Sequence, residues 1–351
     1  MATTPNALSK TDAKYDILKF LLSLLVMAVH SALYPMVLYP WLRIAVPLFF
    51  MTSSFFVFQK MREASESEQK AILKKFVIRN LQLYACWFVI LLPMTVYLRK
   101  DAYFANGFLE NVLTILKSIF FGSTFVASWF IPATILAVLI IYGLSRWVKK
   151  DGIVLIFSVL AFCMVTLDSS YASVIADTVI LTVIDTYVDI FGAFVCSFPA
   201  AIFWVFMGKL FAEQKLKMKS FGLWIGLTVC SCIALFAEWK FVISLDGAYS
   251  NDSYFMLAPL CVLLFLGIQK IKPVCWQPAV YFRRASTIIY VVHGSALPIV
   301  SKAASLILHV KSPVLSFVLT LLFCMIVYLL IELAIGKCRT HRVNKVLRML
   351  Y

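Results

Sequence analysis

The chain has 351 residues, of which 62% are hydrophobic and only 14% are charged, and its formal net charge is +15. An ordinary soluble domain carries about 25% charged residues, so this composition excludes a soluble enzyme. Apolar runs close to 20 residues recur along the whole length, which predicts an all-α fold, a polytopic membrane helical bundle. In such a protein an excess of basic residues reports membrane topology, so we predict a lipid bilayer as partner and no nucleic acid.

The distribution of charge predicts the orientation of the bundle. Placing the basic clusters in the cytoplasm and the acidic loops outside satisfies the positive-inside rule with about ten transmembrane helices and both termini cytoplasmic. The predicted spans are Tyr15–Tyr34, Val46–Met61, Phe76–Tyr97, Ser128–Trp147, Gly152–Leu167, Ile190–Ala212, Phe221–Val242, Tyr254–Gln269, Ala285–Leu308 and Pro313–Ile335. We interpret residues 1–351 as a single membrane domain, with a cytoplasmic N-terminal tail (1–14), an uncleaved first helix and a basic cytoplasmic C-terminal tail (336–351).

Two apolar pieces are predicted to lie at the membrane surface. Asn111–Gly122 is too short to cross the bilayer and carries Lys117, while Val174–Asp189 is amphipathic and carries Asp177 and Asp185. Counting both pieces as spans would give an alternative of about eleven or twelve crossings.

The first predicted helix carries two ionisable side chains, Lys19 near its cytoplasmic end and His30 further toward the exterior. Eleven residues at about 100° each make three turns plus about 20°, so the two share one face, about 16 Å apart. Ionisable groups inside a span are costly, which predicts that this face, with Ser23 and Met27, lines a polar path. An imidazole accepts and donates protons near pH 7, which suits acyl transfer to a hydroxyl. A snorkelling lysine and a structural histidine are the alternatives.

Three more residues are candidates for binding roles. His293, in the ninth span, lies about 12 Å above the cytoplasmic interface and is a candidate donor-binding group, with a hydrogen-bonded structural histidine as the alternative. Glu238 and Trp239, near the outer end of the seventh span, form a candidate acceptor site, with an interfacial anchor as the alternative. The nine cysteines form no CxxC pair, so we predict neither a metal site nor a disulfide.

The segment "DILKFLLSLLVMAVH", which ends at His30, resembles the opening of the integral-membrane acyltransferase-3 family. That opening has an Asp-x-x-Arg motif, an apolar helix and a histidine; here Asp16 matches, and Lys19 stands in place of the arginine. "RIAVPLFFMTSSFFVF" is similar to the family's Val-Pro-Leu-Phe-Phe-x-x-Ser-Gly segment, with Ser53 and Ser54 where Ser-Gly is usual. "SWFIPATILAVLIIY", "FWVFMGKLFA" and "STIIYVVHGS" match further on, so the resemblance covers nearly the whole chain.

The resemblance implies an enzyme that moves an acyl group, usually acetyl, from cytoplasmic acyl-CoA to a hydroxyl of an extracytoplasmic cell-envelope glycan. It implies His30 as the general base or a transient acyl carrier. Acyl-CoA would be a donor substrate, not a permanently bound cofactor, and Lys19, Lys75, Arg79 and His293 would bind it. Asp16 would hold Lys19 by an ion pair, and Ser53 and Ser54 would support the site.

One motif departs from the family. The usual Arg-x-x-Arg pair before the third span has no match in "LKKFVIRN", where Lys75 and Arg79 supply the charge at a spacing that differs by one. Arginine binds phosphate through two parallel hydrogen bonds and lysine only as a point charge. We therefore expect the donor site to bind its nucleotide differently or more weakly.

A second resemblance leaves another function open. "LFAEWKFVISLDGAYSNDSYFMLAPL" resembles the membrane half of membrane-bound serine racemases of glycopeptide-resistant bacteria, a domain thought to supply serine to a cytoplasmic racemase domain. In that case Lys19 and His30 would bind an amino-acid carboxylate or relay protons. With either function we expect a multi-pass protein of the bacterial cytoplasmic membrane. The acceptor, the acyl chain and a possible homodimer remain open.

Overall fold

The computed structural model describes residues 12–33, 36–105, 107–245, 250–307, 309–338 and 340–351. Within these ranges the chain is all-helical. The helices are α1 (Ala13–His30), α2 (Tyr39–Leu42), α3 (Ala45–Met61), α4 (Glu66–Tyr103), α5 (Phe108–Phe120), α6 (Phe130–Val148), α7 (Asp151–Ser170), α8 (Val179–Phe191), α9 (Pro199–Ala212), α10 (Phe221–Ile243), α11 (Leu257–Lys270), α12 (Ala279–Ile307), α13 (Pro313–Lys337) and α14 (His341–Leu347). Most of the predicted N-terminal tail, and the predicted span ends Tyr34 and Leu308, lie outside the described residues.

Side-chain caps explain where several helices begin. Asp12 accepts a hydrogen bond from the backbone N–H of the second residue of α1. Ser65 and Glu68 form a reciprocal capping box at the start of α4. Ser220 and Ser312 cap α10 and α13, where each serine hydroxyl accepts a hydrogen bond from the backbone N–H three residues on. Each cap satisfies a backbone N–H group that has no partner inside the helix.

Seven helical segments of the described chain are long and apolar enough to cross a membrane. They are Tyr39–Met61, Glu66–Tyr103, Phe130–Val148, Asp151–Ser170, Phe221–Ile243, Ala279–Ile307 and Pro313–Lys337. α9 and α11 are apolar but have only 14 residues each. α1 has 18 residues and carries Lys14, Asp16 and Lys19. The all-helical multi-pass bundle is confirmed, while ten crossings and the orientation of the termini stay predictions.

Two regions differ in extent from the predicted spans. α4 has 38 residues, because the basic segment before the predicted third span belongs to the same helix. The first part of the predicted span Ile190–Ala212 is wrong: α8 ends at Phe191, and α9 begins only at Pro199. Gly192 has a φ of 93°, which favours glycine and ends a helix, and proline suits the first turn of the next one.

The two pieces predicted to lie at the surface, α5 and α8, are helices of 13 residues each. A helix of that length is about 20 Å long, which is too short to cross the hydrocarbon core. Their lengths therefore favour the surface interpretation over the count of about eleven or twelve crossings.

α9 is the centre of the bundle. Every residue from Ala201 to Ala212 is buried, and α3, α6 and α7 pack around this helix. At Gly208 α3 lies so close that an added Cβ would be 2.0 Å from Ser54 Oγ and 2.6 Å from the Met51 carbonyl oxygen. Small residues at a contact let helices approach closely within a membrane. Burial on all sides explains why α9 has no polar face.

α1 and α12 lie side by side, and α13 packs against α12. Near the starts of the two helices Asp16 forms an ion pair with Arg283 at 3.6 Å. At the end of α1 the centre of the His30 ring lies 5.1 Å from the centre of the His293 ring. Both contacts follow the same order along the chain, so α1 and α12 run in parallel, with charged groups at one level and imidazoles at another.

Candidate functional site

His30, the last residue of α1, lies on the wall of a cavity of about 180 Å³ that α3, α7, α9 and α12 also line. Its side chain is exposed and lines this cavity. Most of the lining is apolar. The polar lining residues are His30, Arg43, Cys196, Asp252, Ser253 and Tyr290. A concave, mostly apolar site with a few converging polar groups is typical of small-molecule binding.

His293 lies directly behind His30, away from the cavity. It is 0% exposed, and its Nδ1 lies 2.8 Å from the carbonyl oxygen of Ile289. A carbonyl oxygen only accepts, so we assign the proton to Nδ1 and an acceptor role to Nε2. This buried Nε2 has no hydrogen-bond partner in the described part of the chain. A free acceptor beside a second imidazole can select the tautomer of that second ring.

An ion pair that the sequence analysis did not single out faces the same cavity. Arg43 lies between α2 and α3, and Asp252 lies just before α11. A guanidinium nitrogen of Arg43 is 2.5 Å from a carboxylate oxygen of Asp252. The guanidinium also lies 4.3 Å from the centre of the Tyr39 ring. Both charges are within electrostatic range of His30. The only sequence signal for this pair was a charge at the edge of each apolar run, because the three segments meet only in the fold.

Tyr290 and Cys196 also line the cavity. Tyr290 donates its hydroxyl hydrogen bond to the carbonyl oxygen of Ala127, just before α6, which holds the phenol in place. Cys196 lies in the connection between α8 and α9 and brings a thiol to the cavity. Sequence analysis identified neither residue as part of the site.

Most of the predicted donor-binding cations lie together at the other end of α1. The group, called the basic cluster below, comprises Lys19 and three cations within electrostatic range of it, Lys60, Arg79 and Arg283. The ammonium of Lys19 lies 5.4 Å from the centre of the Phe56 ring, a cation–π contact. Lys75 is exposed on α4, and no interaction found within the described ranges joins it to the basic cluster.

The ion pair seen for Asp16 is formed with Arg283 of α12, where Lys19 was the expected partner. Three residues along a helix correspond to about 300°, so the two side chains leave α1 in directions about 60° apart. Asp16 is 4% exposed and faces α12, whereas Lys19 lies over a ring of α3. Lys19 remains within electrostatic range of the carboxylate.

The predicted polar path between the two sites is closed in this conformation. The cavity reaches along α1 only to Val26, and no residue of the basic cluster lines it. Ser23 and Met27, which were predicted to line the path, are both 0% exposed. Ser23 donates to the Phe20 carbonyl oxygen at 2.7 Å, so its hydroxyl is satisfied without water. The prediction of an open path is therefore wrong for this conformation.

Ser53 and Ser54 lie on α3, and neither lines the cavity. Ser54 is 0% exposed and donates to the Phe50 carbonyl oxygen at 2.9 Å. Its hydroxyl faces Gly208 at the contact between α3 and α9. Ser53 is half-buried on the same helix. The position of Ser54 indicates a packing role.

Glu238, on α10, accepts three hydrogen bonds. The donors are the hydroxyl of Tyr171 at 2.7 Å and the backbone N–H groups of Phe255 at 2.6 Å and Met256 at 2.7 Å. Glu238 thereby holds the start of α11. Trp239 is only 3% exposed. A carboxylate that accepts three hydrogen bonds from the protein and a buried indole favour a structural role over contact with an acceptor.

Comparisons with known proteins extend this picture. A family model described as an acyltransferase domain matches residues 12–333. An amino-acid racemase of Enterococcus faecalis is 23% identical over 321 residues, which cover 86% of this chain and 42% of the racemase. Another amino-acid racemase of that organism is 28% identical over 171 residues, 45% of this chain and 22% of the racemase. The chain thus spans less than half the length of these curated relatives. No solved structure matches.

Proposed function

The chain belongs to the acyltransferase-3 family, and from this premise we propose that it is a membrane-embedded O-acyltransferase of the cell envelope. The proposed donor is cytoplasmic acyl-CoA, with acetyl as the acyl group. The proposed acceptor is a hydroxyl of an extracytoplasmic glycan. The observation that carries the proposal is His30, an imidazole exposed to a mostly apolar cavity and backed by a second, buried imidazole.

In the proposed reaction His30 acts as general base. It takes the proton of the acceptor hydroxyl while that oxygen attacks the carbonyl carbon of the thioester. A C–O bond forms, the C–S bond breaks, and the proton passes from His30 to the departing thiolate of coenzyme A. His293 would accept a hydrogen bond from the N–H of His30 and so leave the cavity-facing nitrogen free to take the proton.

The donor would bind through its phosphates at the basic cluster. Coenzyme A carries several phosphate charges, and clustered cations attract them. Lys19 and His30 are separated by eleven residues of one helix, about 16 Å, which is of the order of an extended phosphopantetheine arm by our rough estimate. Because the path between them is closed here, the proposal requires a movement of α1 against α12 when the donor binds.

Substitution of His30 tests the proposal. The His30→Ala variant, purified and reconstituted into liposomes, should lose acyl transfer by a factor of roughly 10² to 10⁴, the usual contribution of a general base. His309→Ala is the matched control, because it removes an exposed imidazole in the connection between α12 and α13. Unchanged acyl transfer by a folded His30→Ala protein would end the assignment.

A second candidate function, amino-acid uptake, is favoured by the ion pair in the same cavity. Arg43 and Asp252 present a guanidinium beside a carboxylate, which complements the two charges of an amino acid. The amino-acid racemase relatives point in the same direction. Two assays on the same proteoliposomes separate the candidates: acyl-CoA turnover and accumulation of radiolabelled serine. Serine accumulation without acyl-CoA turnover would replace the first proposal by the second.

A further inference from the structure

A second concave site, distinct from the His30 cavity, lies between the end of α12, the start of α13 and the end of α1. It is an open groove of about 490 Å³ lined by five serines and two lysines, with one leucine and one proline. We call it the serine–lysine groove; its main residues are Ser31, Ser301, Lys302, Ser305, Lys311 and Ser316. The catalytic proposal uses none of these residues.

The groove carries positive charge that its surroundings do not neutralise. Lys302 and Lys311 are exposed, and neither forms an ion pair within the described ranges. Ser301 donates to Ser316 at 3.0 Å, whereas the hydroxyl of Ser305 has no hydrogen-bond partner in the same part of the chain. Two ammonium groups and a free hydroxyl donor are suited to a phosphate or a carboxylate.

Membrane topology gives no reason for these lysines. In the predicted orientation the connection between α12 and α13 lies outside the cell, whereas the positive-inside rule places the excess of basic residues on the cytoplasmic side. Other predicted outer segments, such as "SLDGAYSND", are acidic or neutral. Arg99 and Lys100, also on that side, are followed by Asp101, whereas the segment from Lys302 to Lys311 contains no acidic residue. Binding of an anion explains two lysines in such a segment.

The position of the groove connects it with the proposed reaction. Ser31 follows His30 directly in the chain and lines the groove, while His30 lines the cavity. Consecutive residues thus line the two concave sites, at the end of α1 that the predicted orientation places outside. We infer that the serine–lysine groove holds an anionic group of the acyl acceptor, a phosphate or a carboxylate, while a hydroxyl of the same acceptor reaches His30. The inference rests on the proposed function and specifies its substrate class, an anionic glycan or lipid-linked saccharide.

The first test measures the electrostatics of the groove without any assay of activity. Ser305→Cys is reconstituted in neutral phosphatidylcholine vesicles and labelled with an anionic or a cationic methanethiosulfonate reagent. Rates are normalised to those of a free thiol, and labelling of the nine native cysteines is subtracted. The anionic reagent should react faster than the cationic one, and inorganic phosphate should slow the reaction of the anionic reagent. The double variant Lys302→Gln/Lys311→Gln should remove the difference between the two rates. Equal rates for the two reagents would overturn the inference.

The second test measures acyl transfer to two matched acceptors, neutral hexyl glucoside and its carboxylate analogue hexyl glucuronide. The glucuronide should have the lower KM. The double variant Lys302→Gln/Lys311→Gln should raise the KM of the glucuronide roughly tenfold, the combined effect of two exposed charge contacts, and leave that of the glucoside unchanged. Lys100→Gln, which removes an exposed lysine near the end of α4, is the control and should change neither value.

The outcomes separate this inference from the proposed function. A wild-type protein that transfers no acyl group to either acceptor contradicts the proposed function, while the labelling rates still decide whether the groove binds anions. Equal KM values for both acceptors in an active protein overturn the inference. Loss of the glucuronide preference on adding phosphatidylglycerol to the vesicles would assign the groove to a lipid headgroup and overturn the acceptor assignment.

Discussion

Two imidazoles 5.1 Å apart are the central feature at the scale of single residues. Only His30 faces the cavity, so only it can touch a substrate in this conformation. His293 is enclosed by protein, and its Nδ1 is held by a backbone carbonyl. This geometry favours a positioning role for His293, where the sequence suggested a donor-binding one.

The two roles of His293 predict different kinetics. As a positioning residue, His293→Gln should lower kcat by a factor of roughly 10 to 100 and leave the KM for acyl-CoA unchanged, because the tautomer of His30 is no longer selected. The pH dependence of kcat should change as well, since the general base has lost its partner. A raised KM for acyl-CoA at constant kcat would restore the donor-binding role. Thermal unfolding of the variant checks that the buried substitution is tolerated.

Glu238 is the second residue whose surroundings decide its role. Glu238→Ala should lower the free energy of unfolding by about 2–3 kcal/mol, because Tyr171 and two backbone N–H groups at the start of α11 lose their acceptor. Glu238→Gln keeps one acceptor oxygen and should cost less. Thermal unfolding in one detergent checks both values. If Glu238→Gln instead raised the KM of the acceptor at unchanged stability, the acceptor-binding role would be supported.

At the scale of elements, the contact between α3 and α9 depends on the absence of a side chain at Gly208. Gly208→Ala should lower the free energy of unfolding by about 1–3 kcal/mol, because the new Cβ would meet Ser54 Oγ and the Met51 carbonyl oxygen. Gly143→Ala is the matched control: on α6 an added Cβ meets nothing within 4 Å. The control should be neutral or stabilising by about 0.5–1 kcal/mol. Equal melting temperatures for the two variants would contradict the close contact.

The pair α1 and α12 connects the two candidate sites. The ion pair of Asp16 with Arg283 joins the two helices at one level, and the two imidazole rings lie side by side at the other. Between these levels Ser23 and Met27 are fully buried, which closes the path. Movement of these two helices relative to each other is thus the step that the proposed reaction requires.

At the scale of the whole molecule, the proposed donor and acceptor sites lie at opposite ends of α1. Substitutions at the two ends should therefore act on different substrates. Lys19→Gln should raise the KM for acyl-CoA roughly tenfold, because a charge-assisted contact with a phosphate is lost, and leave the KM of the acceptor unchanged.

Lys149→Gln is the control for this prediction, because it removes an exposed lysine from the connection between α6 and α7, which is also predicted to be cytoplasmic. Steady-state kinetics at a fixed salt concentration measure both KM values. A Lys19→Gln variant that changes the use of the acceptor but not the dependence on acyl-CoA would show that the basic cluster is not the donor site.

The sequence by itself determined the class of this protein. The length of each apolar run against the thickness of a bilayer predicted a helical multi-pass bundle, and the structure confirms it. The order of motifs from Asp16 to His293 predicted the family, which the match over residues 12–333 confirms. These features could be predicted because hydrophobic length, charge and motif order are local properties of the chain.

Only the tertiary structure decided which of the ionisable side chains meet. Arg43 and Asp252 join His30 at one cavity although more than 200 residues separate them, and Asp16 is paired with α12. The break of the predicted sixth span at Gly192, the closed path along α1 and the serine–lysine groove also appear only in the fold. The physical reason is that each contact depends on the rotation and depth of one helix against another. Those quantities are set by packing at contacts such as Gly208 and not by the periodicity of any single helix.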